Sequence, residues 1–182
     1  MGYVFETERL RVRRFETDDA ERLYGIHQDE EVKKWMPNES YRDVREARDA
    51  AAFFADRVNG GKLPYVLAVE SKDTGMLIGD AGVNEVEGKK GEVEIGFVIC
   101  RECRGKGYAV ELLKAMTEFT ASAFQVDTLY GRVMKGNDAS VKVLEKSGYG
   151  FVAEESGAED DSCGRGMMVY RKSLRDQSAH PA

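Results

Sequence analysis

The sequence predicts an α/β (α+β) fold, a mixed, mostly antiparallel seven-stranded sheet flanked by about four helices. Three features point to it. Short apolar runs in residues 65–99 are separated by tight-turn residues, which reads as strands with short connections. From Gly107 to Phe124 the pattern changes to a long helical stripe. A strand, a capped helix and a final pair of strands follow it. A chain of 182 residues with 42% hydrophobic residues can bury one substantial core, so residues 5–174 are expected to form a single domain. Residues 175–182 have little apolar content and are expected to be a mobile tail.

Alternation in Glu8-Arg9-Leu10-Arg11-Val12-Arg13 predicts a first strand with one apolar face. Thr17-Asp18-Asp19 can cap a helix whose Ala20, Leu23, Tyr24 and His27 share a face, and Pro37-Asn38-Glu39-Ser40 breaks the chain. Val44, Ala47, Ala51, Phe54 and Val58 recur at helical spacing, and Asn59-Gly60-Gly61 stops that helix. Strands are expected at 65–69, 77–83 and 93–99, with turns at Lys72-Asp73-Thr74-Gly75 and Gly88-Lys89-Lys90-Gly91. Tyr108, Leu112, Leu113, Met116, Phe119, Ala123 and Phe124 make the stripe of the long helix. A strand at 128–134 precedes a helix at 137–147, capped by Asn137 or Asp138 and stopped by Gly148. Short strands at 151–152 and 167–170 complete the sheet, joined by an acidic loop.

Composition excludes several classes. A net charge of −6 disfavours a general nucleic-acid binder. No apolar run approaches the roughly 20 residues of a membrane helix, and the first 14 residues hold no secretory h-region. Three cysteines fit a reducing cytoplasm better than a disulfide framework. Cys100 and Cys103 form a C-x-x-C, but Cys163, His27 and His180 are scattered singly, so no metal is expected.

The segment from Val98 to Ala109 carries the chemistry. A buried strand ends, a basic turn with Gly105 and Gly107 follows, and a long helix begins. Free N–H groups at a helix start attract anions, glycines admit close approach, and Arg101, Arg104 and Lys106 add positive charge. A pyrophosphate needs that combination. A plain strand-to-helix turn with solvated cations has the same residues. The loop is neither GxxxxGK[ST] nor GxGxxG, because Val110 stands at the third glycine position.

Here the sequence resembles a known family. Arg104-Gly105-Lys106-Gly107-Tyr108-Ala109 fits the [Q/R]xxGx[G/A] motif of the GCN5-related N-acetyltransferases (GNAT), which bind acetyl-CoA. Asn137-Asp138-Ala139-Ser140, then Val143-Leu144-Glu145-Lys146-Ser147-Gly148-Tyr149, resembles the NxxSxxLLEKxGF segment of the subgroup that acetylates ribosomal-protein N-termini. The opening from Glu6 to Arg13 and the run Glu94-Ile95-Gly96-Phe97 are similar to that subgroup too. The resemblance spans about residues 5 to 174 and implies the acyl-CoA N-acyltransferase (GNAT) fold, with acetyl-CoA as co-substrate and no metal.

It also implies roles. Phe97, Val98 and Ile99 would offer backbone groups to the pantetheine arm, where their strand splays from residues 128–134. Arg104, Gly105, Lys106, Gly107, Tyr108 and Ala109 would hold the pyrophosphate, and Asn137 would contact the pantetheine. Amine attack on a thioester needs a base for the amine and a proton for the leaving thiolate. Glu94 is the candidate base, directly or through water, with Glu85, Glu154 and Glu155 as competitors. Glu92 and Glu94 also read as the polar face of a strand. Ser140 is the candidate acid, and equally an ordinary first-turn serine. The wider family often has a tyrosine acid where this chain has Leu144, and Tyr149 stands at an aromatic core position.

The expected acceptor is a protein or peptide N-terminal α-amine. A small cationic amine (a polyamine or an antibiotic) is the rival, and an acyl-CoA-binding module without turnover is the non-enzymatic alternative. Glu154, Glu155, Glu159, Asp160 and Asp161 form an acidic loop that would attract such an amine, or simply a solvated one. Trp35, Met36 and Tyr41 can wall an acceptor pocket or pack in the core. The oligomeric state stays open, a homodimer included.

Overall fold

The computed structural model describes residues 2–157, 161 and 164–174. Eight strands form one sheet in the order β1-β2-β3-β4-β5-β6-β8-β7. They are β1 (Tyr3–Glu6), β2 (Leu10–Arg13), β3 (Tyr65–Ser71), β4 (Leu77–Glu85), β5 (Glu92–Ile99), β6 (Thr128–Met134), β7 (Gly150–Glu155) and β8 (Met167–Ser173). Five helices accompany them: α1 (Ala20–His27), α2 (Glu30–Trp35), α3 (Val44–Asn59), α4 (Tyr108–Phe124) and α5 (Asp138–Lys146). Every neighbouring pair is antiparallel except β5 and β6, which run parallel. The mixed, mostly antiparallel α/β architecture is the expected one.

Three expectations are corrected. The sheet has eight strands, not seven, because Tyr3–Glu6 doubles back on β2 and Thr7 N–H donates to the Leu10 carbonyl at 3.0 Å. A fifth helix, α2, fills part of the segment between α1 and α3. Asp29 caps it, accepting from the Glu31 and Val32 amides, with acids in its first turn and lysines in its last. The strand at 151–152 is longer than expected, because β8 carries it through a bulge to Glu155.

Cross-strand register divides the sheet's faces. Asp80 lies opposite Ala68 and Val98, and it meets His27 of α1, so α1 and α3 cover that face. Tyr65 and Val83 point the other way, where Tyr65 packs against Phe119 and Phe124 of α4. Helix α5 joins α4 there: Leu144 packs on Gly131 of β6 so closely that a Cβ at 131 would collide with it. Tyr149, just after α5, bonds Thr117 of α4 through its hydroxyl at 2.7 Å. The core lies between these layers, with Leu10, Leu23, Leu67, Leu112, Leu113, Leu129 and Leu144 fully buried. No helix among the described residues is long and apolar enough to cross a membrane.

Candidate active site

Strands β5 and β6 pair only at Glu92–Thr128, Val93–Leu129 and Glu94–Tyr130. Beyond Glu94 the two strands part, while β5 stays paired with β4 as far as Ile99. One edge of residues 95–99 therefore faces a gap in the sheet, with backbone polar groups turned toward it, the Ile99 carbonyl among them being taken by Arg104. Glu94 stands at the root of that gap.

A cleft of about 390 Å³ opens there. Phe97, Val98 and Ile99 form its floor, and Arg104, Gly105, Gly107, Tyr108 and Ala109 close one end. Asn137, Ser140 and Val143 supply the α5 wall, and Trp35 and Met36 supply the α2 wall. Motif residues distant in sequence thus meet in one place. Glu94 and Lys106 do not line the cleft: Glu94 sits at its root, and Lys106 is exposed.

The loop before α4 has the geometry of an anion cradle. Gly105 and Gly107 take φ of +74° and +83°, a left-handed region that side chains disfavour. A Cβ on Gly105 would meet nothing within 4 Å, so open space lies beside that backbone. Helix α4 starts directly after Gly107, and its first amides have no helical acceptors. Those amides and the helix dipole favour a negative group. The Arg104 guanidinium, by contrast, is occupied. It donates to the Ile99 carbonyl and to Asp29, each at 3.0 Å, so Arg104 reaches the cradle through its backbone.

On the α5 wall, the Asn137 side chain accepts from the Ser140 amide at 3.2 Å and caps the helix. Ser140, Val143 and Lys146 share the helix face that borders the cleft. Leu144 points away, into the core against Gly131, so its position is a packing site in this chain. Tyr149 is also core. Burial pushes its hydroxyl up to about 12, which the Thr117 bond partly opposes.

The competing carboxylates are differently placed. Glu85 pairs with Val93 and points to the sheet face opposite Glu94. Glu154 and Glu155 lie on the end of β7 rather than in the loop, where Lys135 binds Glu154 at 2.7 Å and Arg132 binds Glu155 at 2.9 Å. Asp161 accepts the Arg165 and Gly166 amides and serves the turn. Glu159, Asp160, Cys163 and His180 lie outside the described residues, as does the tail at 175–182.

Trp35 and Met36 do wall the cleft, and the Trp35 ring reaches over Gly136 toward α5. Tyr41 instead packs on His27, with ring centroids 5.2 Å apart. Cys103 borders the cleft while Cys100 is buried, and burial, with Cys103 adjacent, pushes the Cys100 thiol up to about 12. Among the described residues no three His, Cys, Asp or Glu side chains gather as metal ligands.

Three residues escaped the sequence reading. Asp29 links the α2 wall to Arg104. Arg9 and Glu111 brace the cradle from behind, their side chains meeting at 2.7 Å. The Asp29 signal was present, since an Asp before Glu30-Glu31 and two lysines is a helix-start pattern. Partners about a hundred residues apart, like Arg9 and Glu111, leave no local signal.

Comparison with known proteins gives the family and the fold. The family model described as "Acetyltransferase (GNAT) domain" matches residues 9–150. The N-acetyltransferase p20 of Bacillus licheniformis is 29% identical over 171 residues, covering 92% of this chain and 93% of that protein. The ribosomal-protein-S5-alanine acetyltransferase of Vibrio fischeri superposes with a TM-score of 0.80 at 16% identity, over 96% of this chain and 98% of that one. RimL, a ribosomal L7/L12 α-N-protein acetyltransferase solved with coenzyme A, superposes with a TM-score of 0.79 at 14% identity, over 95% and 98%. With the motif residues gathered in one cleft and the family model spanning most of the sequence, the chain belongs to the GNAT family and is an acetyl-transferring enzyme.

Proposed function

We propose that the chain transfers the acetyl group of acetyl-CoA to a primary amine, and that the acceptor is a protein or peptide N-terminal α-amine. The observation that carries the reading is the left-handed glycine cradle at the start of α4, opening into the gap where β5 and β6 part. The residues fit the cofactor. Gly105, Gly107, Tyr108 and Ala109 offer amides to a pyrophosphate, the free edge of 95–99 offers backbone bonds to the pantetheine amides, and Asn137 stands beside that path. Bound there, the cofactor supplies an activated acetyl thioester.

The chain's own residues supply the rest. Glu94, at the root of the gap, accepts the proton that the attacking amine gives up, directly or through a water. The Ser140 hydroxyl, on a rigid helix lining the cleft, donates a hydrogen bond toward the sulfur as it gains charge. Trp35 and Met36 cover the cleft and exclude water.

The protein α-amine reading draws on the Asn137–Tyr149 segment and on the activities of the Vibrio fischeri and RimL proteins named above. The deciding experiment measures free thiol released from acetyl-CoA with a panel of peptides and small amines. Release with peptides whose α-amine is free, abolished by blocking that amine, is expected. Release only with polyamines or aminoglycosides would replace the acceptor, and coenzyme A binding without release would leave a binding module.

A further inference from the structure

Beside the cradle lies a residue that is not among those lining the cleft. Arg9, between β1 and β2, donates from Nη1 to the Lys106 carbonyl at 2.9 Å. Its Nε donates to Glu111 Oε2 at 2.7 Å, and its guanidinium stacks over the Tyr108 ring at 4.4 Å. The backbone of Arg9 is fixed as well. Its amide donates to Glu111 Oε1 at 2.9 Å, and its carbonyl accepts from the Lys72 amide at 2.9 Å. Thr7 adds a hydroxyl bond of 2.5 Å to the same carboxylate.

We infer that Arg9 is a positioning residue for the cofactor site, holding the Lys106–Gly107 peptide so that its amide faces the cleft and cancelling the charge of Glu111 beside it. This rests on the acetyl-CoA reading above. The first half follows from peptide geometry. In a trans peptide, the C=O of one residue and the N–H of the next point in opposite directions. Arg9 holds the Lys106 carbonyl, so the Gly107 N–H points the opposite way from Arg9, and Gly107 lines the cleft. The Gly107 carbonyl accepts from the Glu111 amide at 3.1 Å, which fixes the side toward α4, while at φ +83° the Lys106–Gly107 peptide on the other side is held by Arg9.

The second half is electrostatic. Glu111 lies in the first turn of α4. Burial favours its neutral form, but bonds from Thr7 and Arg9 outweigh that and hold the carboxyl below the usual range. An ionised carboxylate near the helix start opposes an incoming anion unless a cation covers it. Arg9 is that cation, and its forked donors reach Glu111 and the Lys106 carbonyl at once.

The test compares two acetyl donors. Coenzyme A and acetyl-CoA reach the cradle, whereas S-acetylpantetheine lacks the pyrophosphate. Arg9→Gln is expected to weaken coenzyme A binding by calorimetry about 10-fold to 100-fold, the scale of lost charge-assisted bonds. Acetyl-CoA KM should rise similarly, while kcat/KM for S-acetylpantetheine with the same peptide acceptor stays within about two-fold, since that donor never reaches the braced peptide. Arg9→Lys keeps the charge but not the fork, and should fall between. Removing the uncovered charge, in Arg9→Gln with Glu111→Gln, should recover part of the loss; no recovery overturns the electrostatic half. Equal losses on both donors, or unchanged coenzyme A affinity in folded Arg9→Gln, overturn the role. Should Arg9→Gln fail to fold, the donor comparison on Arg9→Lys decides by the same criterion. Wild-type protein that binds no coenzyme A would remove the cofactor reading itself, a result distinct from any Arg9 effect.

Discussion

Arg104 Nη2 lies 3.0 Å from Asp29 Oδ1, and this contact ties the α2 wall of the cleft to the loop before α4. Asp29 also caps α2, the helix that brings Trp35 and Met36 over the opening. Burial alone would raise the Asp29 carboxyl, but Arg104 and two backbone amides hold it below the usual range. One carboxylate thus fixes a cleft wall and occupies the cation of the loop motif. Asp29→Ala should cost about 1 kcal/mol of capping, a fall of roughly 2–4 °C in Tm. Asp29→Asn keeps a capping oxygen and should recover most of that fall. Thermal unfolding of both variants checks the order.

Glu94→Gln should lower turnover about 10²-fold to 10⁴-fold with little change in acetyl-CoA binding. It should also remove the acidic limb of the pH–rate profile. The reason is positional, since Glu94 is the last β5 residue paired with β6 and Glu85, Glu154 and Glu155 are directed elsewhere. Near wild-type turnover would move the proton to another group or to solvent.

Ser140→Ala should cost roughly 10-fold to 10³-fold in kcat, the upper end matching loss of one preorganised donor. Affinity should change less, because a bond to a sulfur gaining charge strengthens in the transition state. Leu144→Tyr should not rescue it, because residue 144 faces the core against Gly131. Steady-state kinetics, taken where chemistry limits the rate, separates the two effects.

His27 gives the fold a pH dependence. Its Nδ1 lies 2.6 Å from the Glu39 carbonyl and its Nε2 lies 2.8 Å from Asp80 Oδ2, so two acceptors face one imidazole. Burial opposes the charged ring, but Asp80 and the Glu39 carbonyl outweigh it and raise the pKa above the usual value. The Tyr41 ring packs against the imidazole at a tilt, and the Glu39 carboxyl, itself raised by burial and by Asp80, is a further titratable neighbour. The folded state then binds more protons than the unfolded state. The stabilisation is complete below about pH 6.5, the unfolded value, and is lost as pH rises through the folded pKa. Urea unfolding across that window should show wild-type stability falling relative to His27→Gln. Parallel profiles would contradict the assignment.

Much of the fold is legible because local patterns and tertiary structure agree. The β3–β5 runs alternate between two covered faces, and the α4 stripe from Tyr108 to Phe124 meets the sheet as its period requires. The cradle is legible because Gly105 and Gly107 are needed where the backbone turns left-handed. Strand β1 is harder to read, because four residues near the terminus gain strand geometry only by pairing with β2. Helix α2 has six residues, too few to persist alone, and depends on Asp29 and its contact with Arg104. Side-chain partnerships such as Arg9–Glu111 and His27–Asp80 arise only when the sheet and helices assemble. The ion pairs of Glu154 and Glu155 leave no local signal either, since Arg132 on β6 and Lys135 just after it reach Glu155 and Glu154 only in the folded sheet.

The central claim, that the cradle before α4 holds acetyl-CoA, is tested most directly by calorimetry on Gly107→Val. At φ +83° a β-branched residue is strained whatever the space around it, so the loop must change its backbone to accept one. Circular dichroism first establishes that the variant is folded. The account predicts one coenzyme A site in the wild-type protein and no measurable binding in the folded variant. Unchanged affinity in folded Gly107→Val would contradict it.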